Sequence, residues 1–391
     1  MTFMVWSTRR FAGIVAALGA TVLVASCASQ SSGTGHDGTA GTHAAHGTQF
    51  SAPPLRAGEH FVNLAMPKPY TPRAPNGGTD EYRCFLIDPK LTSEEFLTGS
   101  QFLPQNVDIV HHAIFFRIGP AGANMARKID ADTPGEGWTC FGGSGVSDAA
   151  WVAGWAPGVS ETLLAPGLGY SMPAGSLVVM QVHYNLLATG GKGSGADQSG
   201  IRLRLTTDQT NRTALQTKLL PAPVELPCTP GESGPLCERT AAVADVTHRF
   251  GDAAAETVNR LNKGCNGGKP PVAGTTQRCE HPVSQAATIH AVAGHMHLLG
   301  RSIKIELNPD AAGAQILLDL PSYNFDDQAI RPLAKPVTVK VGDRLRVTCT
   351  HDAGLRQLVP QLRTLQPRYV VWGDGTSDEM CLGLVIWAPT A

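Results

Sequence analysis

The chain has 391 residues, of which 16% are charged, and its formal net charge at pH 7 is -1. A chain of this length is too long to fold around one ordinary hydrophobic core, so two domains are expected. The near-neutral charge gives the protein no electrostatic attraction to nucleic acid. The 43 glycines and 28 prolines favour many short strands joined by turns over long helices, so we predict an all-β protein.

The N-terminus has the layout of a secretory signal, which we place at residues 1–27. Two arginines precede an apolar stretch at residues 11–24 that is short for a bilayer span, and two small residues lead into Cys27. Residues 23–27 resemble a bacterial lipobox, which implies diacylation of Cys27 and a lipid-anchored protein on the extracytoplasmic face of the cell membrane. A plain signal peptide with an incidental cysteine is the alternative interpretation.

Residues 28–54 consist mostly of Ser, Gly, Thr, Ala and His and contain almost no large apolar side chain. Such a segment cannot bury enough surface to fold, so it is predicted to be a flexible tether. Two interpretations of its histidines remain open, capture of copper from solution and incidental residues of a polar linker. These histidines are His36, His43 and His46.

Alternating apolar and β-branched residues, separated by turn-forming clusters, recur six times and predict the strands of antiparallel sandwiches. The segments are residues 107–118, 177–186, 201–205, 288–307, 337–348 and 369–387. A polar run at residues 206–212 interrupts the pattern. We therefore predict an N-terminal domain at residues 55–210 and a C-terminal domain at residues 211–391.

One segment has helical periodicity instead. Apolar residues fall on one helical face at Val243, Val246, Phe250, Ala254, Val258 and Leu261. This pattern predicts a helix over residues 240–261, broken at Gly251-Asp252. His248 lies off the apolar stripe and is expected to face solvent.

Eight cysteines follow Cys27, and an even number in an exported chain favours disulfides. The pairs Cys228/Cys237 and Cys265/Cys279 are close enough in sequence to form locally, and they bracket the predicted helix as a stapled excursion from the second domain. The other four are Cys84, Cys140, Cys349 and Cys381, whose pairing the spacing alone does not determine. Zinc binding is the rival use, but no pair has the Cys-x2-Cys spacing.

The first candidate metal ligands are His111, His112 and His183. Neighbours on a regular strand face opposite ways, so joint ligation by His111 and His112 requires a bulge, a strand end or different ring nitrogens. His183 alone would be interpreted as a hydrogen-bonded core histidine. It is a candidate ligand only in combination with His111 and His112.

The second candidate set is His295, His297 and Met380. Residues two apart on a strand share a face, and unpaired imidazoles in this apolar stretch would cost about 1–3 kcal/mol each, so a metal is favoured. The same parity excludes His290 unless a bulge intervenes. Imidazole and thioether together are a ligand set for copper, and a disulfide from Cys381 would hold Met380 rigidly.

Four motifs in this order resemble the type II ascorbate-dependent copper monooxygenases, the family of peptidylglycine α-hydroxylating monooxygenase and dopamine β-hydroxylase. They are His111-His112, Gln181-Val182-His183-Tyr184, His295-Met296-His297-Leu298-Leu299-Gly300 and Ser377-Asp378-Glu379-Met380-Cys381. The similarity covers about residues 80–387. It implies two consecutive antiparallel jelly-roll sandwiches with a solvent-filled cleft between them. The excursion at residues 228–279 is not part of the pattern.

The resemblance also implies two coppers per chain with separate roles. The copper of the first domain would store and pass an electron, and its ligands would be His111, His112 and His183. The copper of the second would bind O2 and hydroxylate the substrate, and its ligands would be His295, His297 and Met380. Ascorbate or another one-electron reductant would restore both. Further implied features are the disulfides Cys84–Cys140 and Cys349–Cys381 and a glutamine near the first copper, Gln181.

Two positions depart from the peptide-hydroxylating members of the family. An arginine two residues before the His-x-His pair and a tyrosine four residues after the methionine are replaced by Ala293 and Leu384. We therefore expect O2, a small neutral or apolar substrate and, through the lipid anchor, a membrane as partners, and no nucleic acid. A copper-binding or electron-transfer lipoprotein without hydroxylase activity is the alternative, and an interaction protein with vestigial histidines is the third interpretation.

Overall fold

A computed structural model describes residues 53–192 and 195–390. The predicted signal peptide, Cys27, the three histidines of the tether and all of the tether except residues 53 and 54 lie outside the described residues. Within the described ranges the chain is mostly β, with short helices. None of the described helices has both the length and the hydropathy that a membrane span requires.

The first half of the chain forms two sheets. In chain order their strands are β1 (Glu59–Ala65), β2 (Asp80–Ile87), β3 (Glu95–Leu103), β4 (Val110–Ile118), β5 (Trp138–Thr139), β6 (Ala149–Trp155), β7 (Glu161–Leu163), β8 (Leu168–Met172), β9 (Leu177–Asn185), β10 (Gly200–Thr206) and β11 (Thr213–Ala214). One sheet has the order β1-β10-β3-β8-β11 with β7 paired to β3, and the other has the order β5-β2-β9-β4-β6. A helix, α1 (Pro120–Asp132), follows β4.

The second half forms two further sheets and a short ribbon. Its strands are β12 (Gln216–Ala222), β13 (Glu225–Leu226), β14 (Thr276–Pro282), β15 (Ala287–His295), β16 (Gly300–Leu307), β17 (Gln315–Leu320), β18 (Arg331–Val339), β19 (Arg344–His351), β20 (Val370–Val371) and β21 (Cys381–Pro389). The orders are β12-β21-β15-β18 and β14-β19-β16-β17, with β13 paired to β20. Two helices, α2 (Arg239–Phe250) and α3 (Asp252–Cys265), lie between β13 and β14.

Each pair of sheets encloses its own apolar core, so the two halves form two sandwiches. Ala291, Ile386 and Ala388 of the second sandwich pack into the first core, which joins the two sandwiches. The all-β class is confirmed. The domain boundary near residue 210 stays a prediction, and β11 still pairs with β8 beyond it.

The central strand β9 shows how the fold positions a site. Its residues Met180 and Val182 point into the first core, whereas Val179 packs on the other face under α1. Alternation of side chains along a strand therefore puts Gln181 and His183 on the outer face. The candidate ligand His183 thus lies outside the sandwich core but is fully buried by its surroundings.

Three of the predicted strands each fall on two strands in the structure. Residues 337–348 contain the end of β18 and the start of β19, which a turn at residues 340–343 separates. Residues 288–307 divide into β15 and β16 at a turn, because the amides of Met296, His297 and Leu299 bond to side-chain oxygens instead of a neighbouring strand. Residues 369–387 divide into β20 and β21 around the buried irregular segment 372–380.

The helical excursion and the disulfides agree with the sequence. The helix at residues 240–261 is broken at Gly251, whose φ of 87° requires glycine, and His248 is exposed. The structure contains the disulfides Cys84–Cys140, Cys228–Cys237, Cys265–Cys279 and Cys349–Cys381. These are the local pairs and the pairs that the resemblance implies.

Candidate metal centres

The first candidate centre is built by the register of two neighbouring strands. His112 on β4 lies opposite His183 on β9, and a register shift between Val110 and His112 makes a bulge at His111. The bulge turns His111 to the same side as His112, which is one of the conditions for joint ligation by adjacent residues. The Nδ1 atoms are separated by 3.1 Å (His111–His112), 3.2 Å (His111–His183) and 3.3 Å (His112–His183).

These separations are those of three nitrogens around one metal ion. Imidazole nitrogens about 2.0–2.1 Å from an ion, at near-tetrahedral angles, lie about 3.3 Å apart. In residues 53–192 and 195–390, these histidines are the one group of three or more His, Cys, Asp and Glu side chains that converges closely enough to hold a metal. Burial, and then the neighbouring imidazoles, lower the pKa of both His111 and His112 well below the usual value. The rings are therefore neutral at pH 7 and can offer lone pairs.

Surrounding residues fix the orientation of these rings. His183 Nε2–H donates to Asp80 Oδ1 at 2.9 Å, so its Nδ1 carries the lone pair, and its ring stacks on Tyr82 at 4.1 Å between centroids. His111 stacks on Phe325 of the second sandwich at 4.7 Å. Gln181, on the same face as His183, donates to the backbone carbonyl of Cys140 at 2.7 Å.

The second candidate centre is built by turns. His295 is the last residue of β15 and His297 lies in the following turn, so the prediction that both lie on one strand was wrong. Their rings nevertheless approach to 5.2 Å between centroids at an angle of 86°. Met296 is fully buried in the second core, away from this pair.

Hydrogen bonds leave Nε2 of both residues free to bind a metal. His295 Nδ1–H donates to Gln328 Oε1 at 2.5 Å, and His297 Nδ1–H donates to the backbone carbonyl of Asp378 at 3.2 Å. Among the described residues, Nε2 of His297 is buried and has no hydrogen-bond partner. Burial, and then His297, lower the pKa of His295 to about 3. A buried lone pair without a partner is costly, which is what a metal at this atom would relieve.

Met380 is buried and lines the same cavity as His295. It lies immediately before β21 and beside Cys381, whose disulfide to Cys349 fixes the start of that strand. A thioether held in this way supplies the soft ligand that favours Cu(I). The donor set therefore fits copper.

The carboxylate of Glu379 holds the turn and the methionine together. Its Oε2 accepts hydrogen bonds from the amides of His297 at 2.9 Å and Met380 at 3.2 Å, and its Oε1 accepts from the amide of Leu299 at 2.6 Å. Burial alone would raise the pKa of Glu379, but the partners, His351 first, outweigh it and the pKa is lowered. The buried carboxylate is therefore ionised at neutral pH.

The two ligand sets adjoin each other. The ring centroids of His112 and His295 are 5.8 Å apart, so the expected solvent-filled cleft is closed where the sets meet. Beside them lies a cavity of about 1160 Å³. Its wall near His295 is an apolar cluster of Ala293, Leu382 and Leu384, packed against Trp151, Ile330 and Trp372.

The helical excursion supplies another part of the cavity wall, which the sequence did not indicate. Phe250, Ala254 and Leu261 line it. Arg249 from α2 forms a bidentate pair with Asp378, with distances of 2.8 and 2.6 Å, and so ties the excursion to the segment that carries Met380.

Several residues of the site were missed because their partners are distant in sequence. Asp80, Gln328 and Phe325 approach the histidines only through the fold, and no local pattern indicates them. His290 lies at a register irregularity between Ile289 and Ala291 and is not part of the metal-binding group.

Residues 272–391 match the family model described as the C-terminal domain of copper type II ascorbate-dependent monooxygenases. This similarity covers less than a third of the chain. Bovine dopamine beta-hydroxylase is 32% identical over 116 residues, which cover 29% of this chain and 17% of the relative. The human protein of the same name is 31% identical over 116 residues, again 17% of its length. The matched segment thus covers less than a fifth of the length of either relative.

Among solved structures, a peptide-N(4)-(N-acetyl-β-D-glucosaminyl) asparagine amidase aligns with 85% of this chain and 96% of its own, at 9% identity and a TM-score of 0.30. That likeness is too weak to carry an argument about fold or function.

Proposed function

We propose that the protein is a copper-dependent monooxygenase that hydroxylates a C–H bond of a small neutral or apolar substrate, using O2 and a reductant such as ascorbate. The observation that carries this proposal is the convergence of two histidine sets, with ring nitrogens free to bind metal, beside a large apolar cavity. Because there are two sets of candidate ligands, we expect two coppers per chain. The jelly-roll connectivity within each sandwich and the boundary near residue 210 belong to the same proposal.

The residues of each set would have different roles. His111, His112 and His183 would hold one copper through Nδ1. The second copper would be held by His295 and His297 through Nε2, with Met380 as the sulfur ligand. Copper, when bound, supplies one-electron redox chemistry and the activation of O2. The surrounding apolar side chains exclude water and place a substrate against the second set.

The apolar lining of the cavity supports the proposal of a neutral or apolar substrate. The two positions at which peptide-hydroxylating members carry polar anchors, Ala293 and Leu384, belong here to one apolar cluster with Leu382. A substrate carboxylate would find no cationic partner in this cluster, where its desolvation would be costly, and the arginines of the cavity lining, Arg249 and Arg260, lie on the helices α2 and α3 instead. An uncharged or apolar molecule fits it better than a peptide with a free carboxylate.

The test is oxygen uptake by copper-reconstituted protein with ascorbate, with and without a panel of uncharged aromatic and aliphatic compounds. Substrate-dependent uptake and a hydroxylated product by mass spectrometry are expected, and His295→Ala should abolish both. Exposed His248→Ala is the matched control. Copper binding without any substrate-dependent uptake would favour the electron-transfer lipoprotein instead.

We also propose that Cys27 is diacylated and anchors the protein to the membrane, since two acyl chains, at about 0.8 kcal/mol per buried methylene, hold stably. The support is the signal-like sequence that precedes it. Cys27→Ser should release the protein or block its maturation. An unmodified cysteine in the mass spectrum of the native protein would contradict the anchor.

A further inference from the structure

One carboxylate links the first candidate centre to the segment that carries Met380. Asp80 is buried at the start of β2 in the first sandwich, and its Oδ1 accepts the hydrogen bond from His183 Nε2 at 2.9 Å. The same oxygen accepts from Thr376 of the second sandwich, from the amide at 3.0 Å and from the hydroxyl at 2.6 Å. A ligand of the first centre and the segment leading to Met380 therefore share a single acceptor atom.

A second residue on the same face of β2 repeats this bridge. Tyr82 stacks on the ring of His183 at an angle of 13°, and its hydroxyl donates to the backbone carbonyl of Asp374 at 2.8 Å. Asp374 and Thr376 lie on the irregular segment that ends at Met380, where few ladder hydrogen bonds fix the backbone. The position of this segment thus depends on side chains that also set the orientation of His183.

We propose that Asp80 is a positioning residue that couples the two centres, so that metal binding at His111, His112 and His183 raises the metal affinity at His295, His297 and Met380. The inference rests on the proposed two-copper function. A metal on Nδ1 of His183 fixes the ring and polarises its Nε2–H, which strengthens the hydrogen bond to Asp80. Asp80, held in place, then orders Thr376 and the segment that carries Met380.

Linkage requires the coupling to be reciprocal, because it is a single free energy shared by both binding events. An affinity change on the order of 10-fold is expected in each direction. The coupling needs no contact between the two metals. It needs only a segment whose order both sites influence, and the bonds of Thr376 and Asp374 provide that.

The first measurement is the Cu(I) affinity of the second site, by competition with a colorimetric chelator, in the full chain and in His111→Ala. The His111→Ala variant should bind at the second site about 10-fold more weakly. Thr376→Val removes one bond to Asp80 but keeps the Asp80–His183 bond. It should reduce the difference in second-site Cu(I) affinity between protein whose first site is filled and protein whose first site is empty. Tyr82→Phe, which keeps the ring stack, should reduce it less.

The second measurement does not depend on copper at the second site. In a His295→Ala background, Cu(I) at the first site should slow amide hydrogen exchange in residues 373–380, and Asp80→Ala, which removes the shared acceptor, should remove this protection. If Asp80→Ala does not fold, Thr376→Val, which removes one of the bonds, should reduce the protection. Two coppers bound with independent affinities and unchanged exchange would overturn the coupling alone. A protein that binds no copper would overturn the proposed function as well.

Discussion

The two candidate metal centres are built by different means. The first takes its shape from strand register, since His112 and His183 are paired neighbours and a bulge adds His111. The second takes its shape from the turn at residues 296–299 and the irregular segment at residues 372–380, which the buried carboxylate of Glu379 ties together. A centre built on a sheet is fixed by the whole core, whereas a centre built on turns depends on a few charged side chains. Each prediction below tests that difference.

The largest effect is expected from Glu379→Ala. The amides of His297, Leu299 and Met380 would lose their acceptor while remaining buried, at a cost of about 3–5 kcal/mol in total. Denaturant unfolding should show this loss of stability, and the folded fraction should lose the second copper but keep the first. Exposed Glu256→Ala is the control and should change stability by less than about 0.5 kcal/mol. Equal loss of both coppers would contradict the separation of the two centres.

Met380→Leu should separate ligation from packing. A volume-conserving apolar exchange costs less than about 1.5 kcal/mol, so the fold and the first copper should persist. Hydroxylation should fall to near zero, and X-ray absorption of the reduced protein should lose its copper–sulfur scattering. Met296→Leu, in the second core, is the matched control and should keep that scattering. No sulfur scattering in the reduced wild-type protein would refute the assignment of Met380.

Acid should destabilise the metal-free protein through both centres. The pKa values of His111, His112 and His295 are lowered by burial, so below about pH 6.5 the unfolded chain binds protons that the folded chain does not. The free energy of unfolding therefore decreases as the pH is lowered, by about 1.4 kcal/mol per pH unit for each such histidine. The decrease ends when the pH reaches the folded-state pKa, which is about 3 for His295.

Unfolding curves between pH 6.5 and pH 4.5 measure this slope. His295→Gln should reduce the slope of stability against pH by the contribution of one histidine, and exposed His248→Gln should leave the slope unchanged. An identical slope in His295→Gln and wild type would show that His295 is protonated in the folded state.

The contrast between the centres also explains what the sequence could predict. Ligand types, the stapled helices and the cysteine pairs follow from local pattern or from the resemblance. The bulge at His111 does not, because register depends on the partner strand β9. Nor do the turn at residues 296–299 and the segment at 372–380, whose backbones are set by Tyr323, Glu379 and Asp80. Bonds such as Thr376 to Asp80 cross 296 residues of chain, and no periodicity records them.

The smallest effect is expected from Gln328→Leu, which removes the acceptor of His295 Nδ1–H. The imidazole would lose the partner that fixes its tautomer and orientation, and such losses typically lower metal affinity about 10- to 100-fold. The direct effect should fall on the second centre, because the first centre has its own partner in Asp80, and the first should change by no more than the coupling of about 10-fold. Exposed Gln315→Leu on β17 is the matched control. Competition for Cu(I) gives the measurement, and an unchanged affinity at the second site would show that packing alone orients His295.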